Sequence, residues 1–334
     1  MPFRLFDPAA LARAPQTPQA FGAADRRALL AQRTAPPSLT SHREAAPSYV
    51  ASAELTSAVN AALHLCAPLL LTGEPGTGKT QVAYHLAWYW DVPVFSLDVR
   101  STTTAADLLY EFDAVAYFRE ANTPQKPGER CFRHKHIRRG PLWRAIDAVN
   151  EGKPAIVLLD EIDKAQRDFP NDILTALDQS RFAVPEWDEP GPDGQTVEGK
   201  TVERKPGTPP PIVIITSNSE RRLPEAFLRR CVFHHIEFTP ELVRDAVGAH
   251  RKEFAALSET QVTLAIDRFF EIRTRSLRKK PATAELIAWL IVLAAQQGSP
   301  QAAAHISERL GGTLDALPEL SVLVKDRDDL TQLR

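Results

Sequence analysis

The sequence predicts an α/β protein: a five-stranded parallel sheet held between two helical layers, followed by a small all-α domain. Three observations carry this. Five largely apolar runs, Leu69–Thr72, Pro93–Val99, Ala155–Asp163, Pro211–Asn218 and Cys231–Phe238, are separated by helical stretches, the pattern of parallel strands covered on both faces. The first run breaks directly into a glycine-rich loop, LLLTGEPGTGKTQ, that opens a helix. Beyond Phe238 the strand patterns stop and only helical ones follow.

Each element has its own cause. Residues 1–46 are rich in Ala, Pro and Arg, with breakers at Pro15, Pro18, Pro36 and Pro37, and read as an arm with a short helix at Ala23–Arg33. The α/β domain spans 47–238. Ala53–Cys66 reads as a helix, and Lys79–Trp90 as an amphipathic one with Val82, Leu86 and Tyr89 on its inner face. Two segments interrupt the alternation and read as insertions projecting from the sheet. Residues 100–142 hold one helix, AADLLYEFDAVAYFREA, and then a proline-containing loop. Residues 181–211 hold seven prolines, with RFAVPEW and TVERK able to pair as a hairpin. Residues 239–334 form the helical domain: Thr239-Pro240-Glu241 is a helix start with an N-cap and proline at the first position. Ser258–Arg275 and Pro281–Gln297 read as two more helices.

Composition narrows the class. Hydrophobic residues make up 43% and charged residues 25%, close to the soluble average, so a packed globular chain is expected. A formal net charge of −2 gives no reason to expect nonspecific binding to nucleic acid or anionic membrane. The three cysteines, Cys66, Cys131 and Cys231, are distant and odd in number, which fits a reducing cytoplasm better than a disulfide framework. The N-terminus is a poor signal peptide, and the longest apolar run, Leu286–Ala295, falls short of the ~20 residues that span a bilayer.

The chemistry is concentrated in the loop. Gly73-Glu74-Pro75-Gly76-Thr77-Gly78-Lys79-Thr80, with Gln81 behind it, matches the phosphate-binding pattern G-x-x-x-x-G-K-[ST]. Glycines let backbone N–H groups curl inward at phosphate oxygens, and the helix that follows aims its positive end at the same point. Lys79 is placed to reach the β- and γ-phosphates, and Thr80 to ligate Mg²⁺. Such a match arises by chance in about one chain in a hundred of this length, and its position between strand and helix strengthens it. IVLLDEID adds Asp160 for the magnesium shell and Glu161 to polarise an attacking water. IVIITSN ends in Asn218, at the carboxyl end of a strand, where ligands gather in such sheets. LPEAFLRRC closes a helix with Arg229 and Arg230, either of which can reach the phosphates of a neighbouring subunit or simply favour the helix C-terminus.

Strand, loop and helix, Asp160-Glu161, Asn218 and Arg229-Arg230, with a helical domain after them, resemble an AAA+ ATPase over about residues 47–297. RRGPLWRAI, the proline-rich insert before IVIITSN, and LPEAFLRRCVFHHI further resemble the MoxR branch, which includes CbbQ-type activators and relatives of the dynein-type modules. The resemblance implies a P-loop αβα core with a helical lid, ATP and Mg²⁺ as ligands, and a homo-oligomeric, hexameric ring. It also implies pairing with von Willebrand A-domain proteins. The family's second sensor is an arginine at the start of a lid helix; here Arg278, Lys279 and Lys280 precede Pro281, and Lys280 is the candidate for nucleotide contact. Neither an aromatic-Val-Gly pore loop nor a GAFTGA-like loop is present.

Other clusters count for less. Cys131, His134 and His136, with Cys231, His234 and His235, suggest zinc by composition, but C-x-x-C spacing is missing and CVFHHIEF reads as a core strand, so zinc is not expected. RHKHIRR and RTRSLRKK read as solvated basic segments, the second also as a phosphate contact of the lid. The function implied is an ATPase that remodels or activates a partner protein. The alternatives are an assembly switch with slow hydrolysis and a nucleic-acid-handling ATPase of a defence system. No N-K-x-D guanine-reading motif is present, so ATP is favoured over GTP.

Overall fold

The computed structural model describes residue 36 and residues 41–123, 130–191, 195–297 and 300–333. They separate into two compact units, residues 51–238 and residues 239–334, the described residues up to Val50 grouping with the second. The helix expected at Ala23–Arg33 lies outside the described residues.

The first unit is built on α1 (Ala53–Leu65), β1 (Leu69–Gly73), α2 (Lys79–Trp90), β2 (Val94–Asp98), α3 (Ala105–Leu109), β3 (Tyr110–Phe112), α4 (Ala114–Ala121), β4 (Ile137–Arg139), α5 (Pro141–Asn150), β5 (Ile156–Asp160), α6 (Phe169–Gln179), β6 (Arg181–Pro190), β7 (Thr196–Glu203), β8 (Ile212–Ser217), α7 (Glu225–Leu228) and β9 (Val232–Ile236). The central sheet has five strands in the order β2-β5-β8-β1-β9, all parallel. β1 and β5 are buried along almost their whole length, as their unbroken Leu, Ile and Val require. Register aligns the carboxyl ends: Thr72 stands opposite Ser217, and Asp98 opposite Asp160. The chain leaves β1 for β2 at the far edge and later fills β5 and β8 in between, so a switch in strand order falls beside β1. That is where a parallel sheet offers a crevice for a ligand.

Several expectations are corrected. The stretch expected as one helix after Ala105 is broken into α3, β3 and α4. Tyr110–Phe112 pairs antiparallel with Ile137–Arg139, and the Asp113 carboxylate caps α4 by accepting from the Ala116 N–H at 2.8 Å. Tyr89 is 69% exposed, not on the inner face of α2. The small residues Ala83 and Ala87 flank Val82 there and bring the helix close to the sheet, leaving Tyr89 outside. The hairpin β6–β7 forms with Phe182 opposite Val202. Its base does not project: Phe182, Val184, Trp187 and Val202 are buried in the main core, with Trp143 edge-on to Phe182 at 5.8 Å. Finally, β9 is an edge strand, and Phe233 on it is 58% exposed.

The second unit is helical: α8 (Pro240–Ala249), α9 (Glu259–Thr274), α10 (Thr283–Ala295), α11 (Pro300–Leu310) and α12 (Arg327–Gln332). Thr239 caps α8 through the Leu242 N–H at 3.2 Å, and Ser258 with Gln261 forms a capping box on α9. Phe254, Phe269, Trp289 and Leu290 make its core, and the Trp289 indole N–H is satisfied by the Pro318 carbonyl at 2.7 Å. Among the described residues, no helix is long and apolar enough to cross a membrane.

Candidate nucleotide site

The loop after β1 is shaped by glycine. Gly73 ends the strand at φ 150°, and a Cβ there would sit 2.6 Å from the Ile236 carbonyl oxygen of β9. No other residue fits that approach. Gly76 and Gly78 take φ 79° and 84°, the left-handed region that lets the loop curl before α2 begins.

Lys79, the first residue of α2, is only 6% exposed, and its ammonium donates to the carbonyls of Gly73 and Glu74, both at 2.9 Å. Burial pulls its pKa down, while the carboxylates of Asp163, Asp160 and Glu161 oppose that shift. A buried ammonium held by the carbonyls of its own loop can exchange them for an anionic ligand. Thr77 is buried and ties its hydroxyl to the Glu74 carbonyl at 2.9 Å, while Glu74, Pro75 and Gly76 are exposed. Gln81 lies in the first turn of α2, half-buried.

A chain of hydrogen bonds joins the loop to the sheet. The Thr80 hydroxyl donates to Asp160 Oδ1 at 2.8 Å, and the Thr216 hydroxyl donates to the same oxygen at 2.6 Å. The Glu161 N–H donates to Thr216 Oγ1 at 2.8 Å, and Asn218 Nδ2 donates to Glu161 Oε1 at 3.1 Å. Glu161 holds φ 59°, a conformation that costs a non-glycine residue about 1–3 kcal/mol and turns its carboxylate off the strand axis. Its second oxygen, Oε2, pairs with Lys164 Nζ at 2.5 Å, which raises the Lys164 pKa. Thr80, Asp160 and Thr216 form a cluster of hard oxygen ligands, the donor set Mg²⁺ takes, so the residues present fit a magnesium nucleotide.

Three members of this site were not singled out in the sequence. Thr216 and Lys164 are two. The third, Asp163, is 2% exposed and accepts from the backbone N–H groups of Asn218 at 3.2 Å and Glu220 at 2.9 Å. Its signal was the third acid of DEID, two residues past the pair that drew attention. Asp163 is a positioning residue for Asn218. An asparagine there presents a donor to one of two backbone donors, at a cost of about 1–3 kcal/mol. Asp163→Asn should therefore lower turnover through displaced Asn218 while nucleotide affinity holds. Parallel kcat and binding measurements check this, and an unchanged kcat removes the assignment.

The two arginines sit at the end of α7 and are engaged within their own chain. Arg229 pairs with Glu225 through Nε at 3.1 Å, and Arg230 Nε pairs with Asp178 at 2.7 Å. Lys280 belongs to the helical unit, where it is exposed; the neighbouring N–H groups of Arg278 and Lys279 donate to the buried Asp329 carboxylate at 2.8 and 3.1 Å. Of the six residues that suggested zinc, the described structure brings only Cys131 and His136 together in a potential metal group, and their third member is Glu120. On β9, His235 instead shares a 2.9 Å hydrogen bond with the Thr72 hydroxyl, and burial lowers the pKa of His234.

A glycine-shaped loop with a buried lysine, set at the switch in a parallel sheet beside an oxygen cluster, defines a P-loop nucleotide-binding domain. Residues 68–231 match the family described as AAA domain (dynein-related subfamily), and this part of the chain is an AAA domain. Two solved structures are similar at 14% identity. One is a candidate ATPase from Cytophaga hutchinsonii, at a TM-score of 0.34, covering 80% of this chain and 83% of that one. The other is NtrX from Brucella abortus in complex with ADP, at a TM-score of 0.45, covering 91% of this chain and 60% of that one. No curated protein matches the sequence.

Proposed function

We propose that the protein is a MoxR-type AAA+ ATPase that binds ATP at the seams of a homo-oligomeric, hexameric ring and uses hydrolysis to remodel or activate a partner protein in the cytoplasm. The observation that carries the reading is the hydrogen-bonded chain Thr80, Asp160, Thr216, Glu161 and Asn218 beside the buried Lys79. Residues Gly73 to Gln81 wrap the phosphates, with Lys79 on their charge. Thr80 and Asp160 hold the magnesium ion, which neutralises phosphate charge when bound. Glu161 accepts a proton from the attacking water, Asn218 holds both carboxylate and water in place, and Arg229 or Arg230 reaches the γ-phosphate of the neighbouring protomer. Lys280 contacts nucleotide from the lid. The domains follow these roles: residues 1–46 an arm, 47–238 the nucleotide-binding domain, 239–334 the lid and C-terminal segment. A protein with a von Willebrand A domain is the partner class.

One observation favours a second reading, an assembly switch with slow hydrolysis. Glu161 is held on both oxygens, by Asn218 and by Lys164, which restrains it from acting as a base until the pair with Lys164 opens. Partner stimulation separates the readings, since a remodelling motor accelerates with its partner and a timer does not. The test of nucleotide-driven assembly is light scattering with and without ATP and Mg²⁺. The wild type should assemble, and Lys79→Ala should neither take up nucleotide nor assemble; a Lys79→Ala protein that bound ATP normally would overturn the site.

A further inference from the structure

We propose that Glu120, Cys131 and His136 form a binding site for one divalent metal ion of the zinc class, which clips the first insertion closed. Three chemically different ligands from separate segments converge there. Glu120 lies near the end of α4, Cys131 lies eleven residues further along the chain, and His136 ends the 3₁₀ turn Arg133–His136. His136 Nε2 stands 3.0 Å from Glu120 Oε2 and 3.7 Å from Cys131 Sγ, and all three ligand atoms lie within 4.8 Å of one another. A tetrahedral zinc with Zn–S of about 2.3 Å and Zn–N of about 2.0 Å separates its ligands by roughly 3.3–3.6 Å. The two separations from His136 Nε2 lie within about 0.3 Å of that range.

The His136 imidazole and the Cys131 thiol both turn to the one Glu120 carboxylate, so three ligating groups already converge on a point where a cation can replace their protons. Thiolate plus imidazole selects a borderline-soft ion over Mg²⁺, and the Glu120 side chain, 41% exposed against 12% for His136, leaves the fourth position facing water.

The surroundings hold these ligands in place. The 3₁₀ turn that carries His136 is anchored by Asp188, which is 3% exposed. Its carboxylate accepts from the Arg133 backbone N–H and from Arg133 Nε, the latter at 3.2 Å. The His136 carbonyl accepts from the Asp113 N–H at 2.9 Å, and the Tyr117 ring lies edge-on to the imidazole at 5.8 Å. The backbone that carries His136 is thus pinned, and Tyr117 packs against its ring, before any ion arrives.

Titration of the metal-free full chain with Co²⁺, followed by thiolate-to-cobalt charge-transfer absorption, tests the proposal. The oxygen cluster of Thr80 and Asp160 cannot give that band, so the two metal sites are told apart. Wild type, Cys66→Ser and Cys231→Ser should each develop the band at one equivalent, and Zn²⁺ should bleach it. Cys131→Ser should show none. Glu120→Gln, a change at a partly exposed helix end, should weaken cobalt binding by more than the roughly 10–100-fold that an outer-shell partner is worth. Absence of the band in wild type, or its survival in Cys131→Ser, overturns the site and leaves a plain Glu120–His136 ion pair beside a buried thiol.

Discussion

Glu161→Gln should lower ATP turnover by roughly 10²–10⁴-fold, the range that a positioned general base contributes, while ATP binding persists. The reason lies in what glutamine keeps and loses. Its carbonyl can still accept from Asn218 Nδ2, and its volume matches, so the hydrogen-bonded chain from Thr80 to Asn218 survives. It can neither take a proton from water nor pair with Lys164, which releases one exposed ion pair worth about 0–1 kcal/mol. Steady-state phosphate release together with nucleotide binding reads both halves of the expectation. Wild-type turnover in this variant would take the proton-accepting role away from Glu161.

The second large effect falls on α7. Changing Arg229 and Arg230 together to alanine should leave nucleotide binding intact and reduce turnover by roughly 10³–10⁵-fold, the contribution of an arginine finger. Both arginines hold carboxylates of their own chain, Glu225 and Asp178, on a solvent-facing surface. Exposed pairs of this kind cost about 0–1 kcal/mol to open. A charge-assisted bond to phosphate returns about 1.5–3 kcal/mol. The arginines can therefore exchange their partners for a neighbour's phosphate without a net penalty. Single variants then show which of the two carries the effect, read by phosphate release at saturating ATP.

What the sequence disclosed and what it hid follow a physical line. Gly73 to Thr80, Asp160, Glu161 and Asn218 were legible because each sits at the end of a continuous apolar strand, and local pattern alone sets strand, loop and helix there. The break at Tyr110–Phe112 was not legible, since a three-residue strand owes its existence to Ile137–Arg139, many residues later. Tyr89 was misplaced because helical spacing gives a face, while Ala83 and Ala87 decide how closely that face approaches the sheet. The hairpin base was read as projecting because proline and charge mark its tip, whereas Phe182 and Trp187 pack on Trp143. Glu120 joins Cys131 and His136 only in three dimensions, and nothing in its local context marks it as a ligand. Asp163 was overlooked because its partners are backbone N–H groups of another strand's end, which leave no trace in side-chain spacing.

The most direct test of a site shared between protomers is a mixing experiment. Lys79→Ala should lose nucleotide but keeps its arginines, while Arg229→Ala/Arg230→Ala should hold nucleotide but lacks them. Each alone should release almost no phosphate. Mixed in equal amounts with ATP and Mg²⁺, they should regain a substantial part of wild-type turnover, because nucleotide held by the arginine-lacking subunits draws in Lys79→Ala subunits, which do not assemble alone, and places an intact loop beside intact arginines. A mixture that stays as inactive as its components, although light scattering shows that it assembles, contradicts a catalytic site completed by the neighbouring copy.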